Sequence, residues 1–185
     1  MSLRLITPPA ETPVTLAEVA AHLRADLSAE TALVGVYISA VTGKAESYLK
    51  RSIITQTLRL SLDRFPVGGL RLPAGPVQSI TSAKYLDADG IQQTLDPAAY
   101  QLASDDTLHP AYGLSWPTGR RQPDAVKIEY VAGYGLAAAV PAEIKAWMLL
   151  NVANLYENRE TVVIGNTVNE LDTLANGLID PLVNW

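Results

Sequence analysis

The hydrophobic period of the chain changes twice along its length, and this change limits the folds open to it. Apolar residues recur at three- and four-residue steps before about residue 52, alternate with polar residues from about 55 to 132, and return to helical steps after 141. The first and third patterns predict helices and the middle one predicts strands. We therefore expect an α+β fold in which a small antiparallel β-sheet section is inserted into a helical bundle.

Two helices are predicted before the strands. Thr15-Leu16-Ala17-Glu18 matches the capping box, in which the Thr hydroxyl and the Glu carboxylate each accept a hydrogen bond from the other residue's backbone amide. This motif predicts a short helix to about Arg24. Ser28 is a candidate N-cap for a longer helix that ends near Arg51. Gly43 lies inside that helix, either at a close helix crossing or as a tolerated cost of about 1 kcal/mol against Ala. The predicted buried stripe of the longer helix consists of Val34, Tyr37, Ile38, Val41, Ala45, Tyr48 and Leu49.

The middle section is predicted to contain short strands separated by turns. These strands are expected near residues 58–62, 70–72, 77–86, 91–95, 100–103 and 125–131. Asp87-Ala88-Asp89-Gly90 predicts a hairpin turn, because the further oxygen ligands and the final Glu of a calcium loop are absent.

A third helix is predicted from Pro141. It is apolar nearly all round until Tyr156, so we expect it to be central. A short last helix is predicted over 170–179 and is ended by Pro181. The expected organisation is a single domain, 1–185, with its helical part at 14–52 and 141–180 and a β insertion at about 55–132.

The 185 residues include no Cys and only 2 His, and the formal net charge is −5. This composition excludes disulfides, thiolate metal sites, iron–sulfur clusters and cysteine nucleophiles. The negative charge disfavours tight non-specific DNA binding through phosphate neutralisation. Neither a signal peptide nor a membrane-spanning segment is predicted, so we expect a soluble protein made in the cytoplasm.

Candidate catalytic and metal-binding groups are few. Glu18, His22 and Asp26 share one helix face, but no ligands are predicted to converge on them, so a solvated surface is favoured over a metal site. Asp105 and Asp106 with His109 could serve a small hydrolase-like enzyme, although loop positions for all three are the preferred interpretation. The chain has no Gly-x-Ser-x-Gly elbow and no Gly-rich phosphate motif.

Arg120 and Arg121 are the most distinctive basic residues of the chain. They lie between Pro117-Thr118-Gly119 and Pro123, in a loop that the prolines make rigid. Two adjacent guanidinium groups could bind phosphate or an acidic partner surface. Ordinary surface charge is the alternative.

The order of several short motifs resembles the tailed-phage head–tail connector proteins, also called neck adaptors. The similarity covers roughly residues 3 to 160. The motifs that carry it are Leu5-Ile6-Thr7-Pro8-Pro9, Val14-Thr15-Leu16-Ala17-Glu18, His22-Leu23-Arg24, Ile53-Ile54-Thr55-Gln56-Thr57, Tyr85-Leu86-Asp87-Ala88-Asp89-Gly90, Pro110-Ala111-Tyr112-Gly113, Trp116-Pro117, Val131-Ala132-Gly133-Tyr134-Gly135, Val140-Pro141-Ala142-Glu143-Ile144-Lys145-Ala146 and Leu155-Tyr156-Glu157-Asn158-Arg159-Glu160.

The resemblance implies a non-catalytic structural protein of the virion neck, between head and tail, that needs no cofactor. In the longer subtype of this family, which also occurs in gene transfer agents, a β section is inserted between helices. Copies form a ring beneath the portal protein, extend the channel through which double-stranded DNA passes without sequence-specific binding, and offer a platform to the next neck or tail component. Assembly in the host cytoplasm, with no membrane partner, is implied. Another neck or tail-completion (stopper) protein is the alternative.

The C-terminal segment after residue 160 has more apolar residues than a free terminus is expected to carry. We hypothesise that it docks on the portal or on an adjacent subunit and is mobile in the free protein. The alternative is a terminal helix folded back on its own core. The candidate contacts of this segment are Val162, Val163, Ile164, Leu171, Leu174 and Leu178.

Overall fold

A computed structural model describes residues 1–158 and 176–183, and its mixture of helices and antiparallel sheets confirms the α+β class. The chain forms two compact units. The sheet unit comprises Met1–Ala10 and Thr55–Gly133, and the helical unit comprises Glu11–Ile54 and Tyr134–Trp185. The N-terminal ten residues belong to the sheet unit, and the expected single-domain organisation stays a prediction.

The helical unit contains α1 (Leu16–Leu23), α2 (Thr31–Leu49) and α3 (Ala142–Glu157). The capping box is confirmed: the Glu18 amide donates to the Thr15 hydroxyl at 3.1 Å, and the Thr15 amide donates to the Glu18 carboxylate at 2.6 Å. The expected Ser28 cap is wrong. The Ser28 amide instead donates to the Asp26 carboxylate in the turn before α2, which begins without a side-chain cap at Glu30.

One face of each long helix forms the core of the helical unit. Five of the seven stripe residues expected on α2 are buried, but Tyr37 is only half-buried and Tyr48 is exposed. α3 contacts both α1 and α2, as expected of a central helix, although Leu150 and Leu155 on it are each 38% exposed. The buried residues of α2 and α3 are Val34, Ile38, Val41, Ala45, Leu49, Ile144, Trp147, Met148 and Val152.

The described end of the chain also packs on this core. Residues 176–179 are helical and Asp180–Leu182 form a 3-10 turn, so Pro181 lies inside the turn and not beyond it. Ile179 is fully buried in the helical core. The Trp147 indole N–H donates to the Asn176 side chain at 3.1 Å, and the Tyr48 hydroxyl donates to the Asp180 carboxylate. Residues 170–175, where the last helix was also predicted, lie outside the described residues.

Gly43 is on the exposed face of α2, and a Cβ built there meets no atom within 4 Å. The idea of a close helix crossing at Gly43 is therefore wrong for the described part of the subunit. Gly43 therefore costs backbone entropy without allowing a closer contact among the described residues.

Gly43→Ala should stabilise the free subunit by about 0.5–1 kcal/mol, since alanine has the higher helix propensity and fits the open space. Urea unfolding measures this change. Gly135→Ala is the matched control: Gly135 has φ +136° and an added Cβ would lie 2.9 Å from the Ala139 Cβ, so this variant should be less stable. A loss of stability in Gly43→Ala would contradict the open position.

Glu46 in the last turns of α2 is a partly buried carboxylate that accepts a hydrogen bond from the Ile53 amide at 2.9 Å. Burial raises the pKa of this carboxyl above its ordinary value of 4.5, against the opposing effect of the Ile53 hydrogen bond. A raised folded-state pKa means that the contribution of Glu46 to stability is fully present below pH 4.5 and is lost as the pH rises through the raised value.

Glu46→Gln removes this titration and keeps an oxygen that can accept from Ile53. The stability of the variant relative to the wild type should therefore increase between pH 4 and pH 7, measured by urea unfolding at each pH. Asp87→Asn is a control whose effect falls at lower pH: the Gln93 side chain and the Ile91 amide donate to Asp87 and hold the pKa of that carboxyl below its usual value of 3.8, so the stability difference from the wild type should stay level between pH 4 and pH 7 and shrink as the pH falls below 3.8. An unchanged stability difference across this pH range in Glu46→Gln would contradict the raised pKa.

The sheet unit contains two antiparallel sheets, where the sequence predicted one. The first sheet has the order β1-β2-β8-β4-β5 and the second has the order β3-β7-β6. The strands are β1 (Ser2–Thr7), β2 (Gln56–Leu62), β3 (Leu70–Arg71), β4 (Val77–Leu86), β5 (Gln92–Thr94), β6 (Tyr100–Leu102), β7 (Thr107–Pro110) and β8 (Val126–Ala132). Six of them match the predicted strands, and β1 and β7 were not foreseen.

The two sheets enclose a second core. Strand β8 is central, with every second side chain buried, and Tyr130 on it donates its hydroxyl to the Pro73 carbonyl at 2.7 Å. Burial raises the pKa of this tyrosine. The opposite face of the β2–β8 pair carries an ion pair between Arg59 and Glu129 at 2.6 Å. The buried members of this core are Leu58, Leu60, Leu70, Leu72, Ala83, Leu108, Val126, Ile128, Tyr130 and Ala132.

Candidate partner-binding surface

Arg120 and Arg121 lie beside a cleft of about 180 Å³ in the sheet unit. Two loops form it: the segment after β2, with Arg64, Phe65 and Pro66, and the segment before β8, from Trp116 to Arg121. Leu86 at the end of β4 and Val126 at the start of β8 complete the lining. The cleft thus lies where β4 ends and β8 begins.

The loop that carries the arginines is held in place by backbone and aromatic contacts. The Arg120 amide donates to the Leu86 carbonyl at 2.9 Å. At Gly119 a Cβ would lie 2.6 Å from the same carbonyl oxygen, so this approach requires glycine. The Trp116 ring stacks on Phe65 with 4.7 Å between ring centroids and 5° between planes, and its N–H donates to the Gly68 carbonyl at 2.8 Å. These contacts fix the arginine backbone on the sheet.

Three guanidinium groups, of Arg64, Arg120 and Arg121, surround the cleft, and none of the described residues that line it carries a carboxylate. All three side chains are exposed. Within the described residues, the ion pairs join Arg59 to Glu129 and Lys145 to Glu18, so none of the three arginines has an acidic partner within 4 Å. A cleft with apolar walls and three unpaired guanidinium groups can bind carboxylate or phosphate by charge-assisted hydrogen bonds.

The same two loops also expose large apolar side chains. Val67, Tyr112 and Leu114 are 108%, 101% and 56% exposed, and each lies within four residues in sequence of a residue that lines the cleft. Exposed apolar groups beside a charged cleft are typical of protein-binding surfaces. Sequence reasoning identified Arg120 and Arg121 but missed Arg64, Phe65 and Trp116, because about fifty residues separate the two loops.

The structure gives structural roles to the hydrolase candidates. His109 lies in β7 and not in a loop. The Asp106 carboxylate accepts from the Val77 amide at 2.7 Å, and the Asp105 carboxylate accepts from the Thr107 amide at 3.2 Å. Hydrogen bonds from Thr107 lower the pKa of Asp105. The two carboxylates therefore fix the turn before β7 and the start of β4.

The residues considered for metal binding are also engaged elsewhere. Glu18 accepts from Thr15 and from the Lys145 ammonium at 3.0 Å, and these hydrogen bonds lower its pKa. The Asp87 carboxylate accepts from the Asp89 and Ile91 amides inside the predicted hairpin turn, where Gly90 has φ +83°. No group of three metal-ligating side chains occurs among the described residues.

Of the candidate C-terminal contacts, only Leu178 is described, and it is 38% exposed. Its neighbours Asn176, Ile179 and Asp180 contact the helical unit, so this part of the segment folds back on its own core. The remaining candidates, Val162, Val163, Ile164, Leu171 and Leu174, lie outside the described residues. In the described part of the chain, no helix has the length and hydropathy needed to cross a bilayer.

With this fold in view, the chain is similar to solved structures of virus-like particles. It is 27% identical to a chain of the neck of an empty gene transfer agent particle computed with C6 symmetry, with a TM-score of 0.79 and with 96% of this chain and 95% of that chain covered. It is 26% identical to a chain in the virion of a native gene transfer agent particle, with a TM-score of 0.80 and the same coverage.

A third similar structure is a chain of the neck of a native gene transfer agent particle computed with C12 symmetry. It is 24% identical, has a TM-score of 0.75, and the match covers 95% of this chain and 94% of that chain. No protein-family model and no curated protein matches the chain. The chain therefore has the fold of a component of gene transfer agent particles, over nearly its whole length.

Proposed function

We propose that this protein is a non-catalytic structural component of the neck of a phage-like particle. The observation that carries the proposal is the 27% identity over 96% of the chain to a protein in the neck of a gene transfer agent particle. A similarity of this length leaves no large part of either chain without a counterpart. The carboxylates of Asp105 and Asp106 accept hydrogen bonds from backbone amides, which supports a structural role for these two residues.

Within the neck, we propose the role of head–tail adaptor. Copies assemble as a ring beneath the portal protein, continue the DNA channel and provide the platform for the next neck or tail component. The C6 and C12 symmetry of the similar necks supports a ring. A closed ring uses two different patches on each copy in head-to-tail contact.

The charge of the chain is compatible with DNA passage. Each copy adds a net charge of −5 to the ring. An acidic wall does not neutralise phosphates, so it avoids the counterion release that makes DNA bind tightly. Double-stranded DNA thus passes through the ring without being bound as a specific ligand.

Co-purification with the portal protein tests the adaptor role. The tagged subunit should bind isolated portal and form a complex whose mass corresponds to a ring, because the portal acts as a template. A free subunit that is monomeric remains compatible with this outcome. Binding only to tail components would contradict the adaptor role and would support a stopper or tail-completion protein instead.

We further propose that residues 162–174 dock on the portal or on an adjacent subunit in the particle. Their apolar content supports this, since Val162, Val163, Ile164, Leu171 and Leu174 would cover apolar surface on a partner. Hydrogen exchange of the free subunit and of the portal-bound ring should show protection gained in this segment on assembly. Residues 176–182, which already pack on the helical unit, are the internal control. Equal protection of residues 162–174 in both states would contradict the docking.

A further inference from the structure

The net charge of the chain is divided unequally between its two units. The residues of the sheet unit include eight basic and eight acidic side chains, whereas those of the helical unit include six basic and eleven acidic ones. The helical unit therefore carries the whole formal charge of −5. The unpaired arginine cleft belongs to the neutral sheet unit.

We propose that the cleft of Arg64, Arg120 and Arg121 binds the acidic surface of the helical unit of a neighbouring copy. The inference rests on the proposed ring. In a head-to-tail ring each copy can present its cleft to one neighbour and its acidic surface to the other, so every interface gains the same attraction. Such a contact offsets the repulsion that arises when copies of charge −5 are brought together.

The surroundings of the cleft favour a protein carboxylate over DNA phosphate. Exposed Val67, Tyr112 and Leu114 flank the lining residues in sequence, and apolar side chains of this size suit a protein interface. DNA binding needs a continuous basic surface, and the sheet unit as a whole is neutral. A carboxylate that enters the cleft can accept paired N–H donors from a guanidinium fork, while neighbouring apolar groups cover the loops.

Exposed acidic side chains that can serve as the counterpart are available on the helical unit. Glu143 in the first turn of α3 and Glu157 at its end are both exposed. No hydrogen bond or ion pair to either carboxylate occurs among the described residues. They therefore offer carboxylates to a neighbour without breaking a contact inside the subunit.

Site-specific photo-crosslinking in assembled particles tests the proposal. A benzophenone amino acid replaces Thr118, an exposed residue that lines the cleft, and a second variant carries it at exposed Gln101 in β6. The Thr118 probe should give a band of twice the subunit mass, and peptide mapping should place the crosslink in residues 11–54 or 134–158 of the second copy. The Gln101 probe should not give this product. Crosslinks from Thr118 to DNA, to portal or to another protein would overturn the proposal, as would a yield no higher than that of Gln101.

Charge substitution gives a second measurement. Arg120→Ala with Arg121→Ala should lower incorporation into particles about tenfold, since each interface loses charge-assisted hydrogen bonds. Arg120→Lys with Arg121→Lys should lose less, because the charge stays while the guanidinium fork is lost. Lys84→Ala with Lys127→Ala makes the same change in net charge in the sheet unit, outside the cleft, and should assemble normally.

The unfolding midpoint of the free Arg120→Ala and Arg121→Ala double variant should equal that of the wild type, because both side chains are exposed and unpaired. Normal incorporation of this stable variant would overturn the inference and leave the proposed function intact. Absence of the wild-type protein from purified necks would instead overturn the proposed function itself.

Discussion

The antiparallel pairing of β2 with β8 is the constraint on which the sheet unit depends. It joins seven residue pairs, from Gln56–Ala132 to Leu62–Val126, across more than sixty intervening residues. Closing so long a segment costs chain entropy, which the burial of Leu58, Leu60 and Ile128 on one face offsets. β1 adds to the outer side of β2 and β4 adds to β8, so both extend the sheet from the central pair. The pair also returns the chain to the start of α3.

The arginine cleft follows from the same pairing. The end of β4 lies beside the start of β8, and the Arg120 amide donates to the last carbonyl of β4. The aromatic stack of Phe65 on Trp116 then fastens the loop after β2 to the loop before β8. The backbone segments that carry the three exposed arginines are thus held in place by apolar contacts, which reduces the entropy lost when a partner binds. A flexible loop with the same arginines would lack this advantage.

The sequence predicted those parts of the fold that local patterns encode. The capping box of Thr15 and Glu18, six strands and the buried stripe of α2 follow from spacing alone. β1 was missed because Arg4 interrupts its apolar residues and the strand is exposed on both faces, so it lacks the alternation of a half-buried strand. β7 was missed because His109-Pro110 is typical of a loop; Pro110 ends this strand.

The sequence predicted only part of the candidate site, because some of its residues are brought together by long-range strand pairing. Arg120 and Arg121 stand out because they are adjacent, and adjacency is visible in any sequence. Arg64 and Phe65 reach the same place through the long-range pairing of β2 with β8, which no local pattern encodes. The unequal division of charge could have been found from the sequence, yet it needs the bounds of the two units. Similarly, Ile179 is buried through a tertiary contact with a helical core whose other residues lie much earlier in the sequence.

The exposed strand β1 has a consequence for the free subunit. Among the described residues it pairs only with β2, so its other edge presents open amides and carbonyls, with Leu3 and Leu5 42% and 53% exposed. Such an edge is a template for unwanted strand pairing and aggregation. Arg4 places a charge in its centre, and Pro8-Pro9, which lack amide hydrogens, stop any ladder from extending past Thr7. Arg4 and the two prolines thus disfavour the pairing of free subunits through the β1 edge of the sheet.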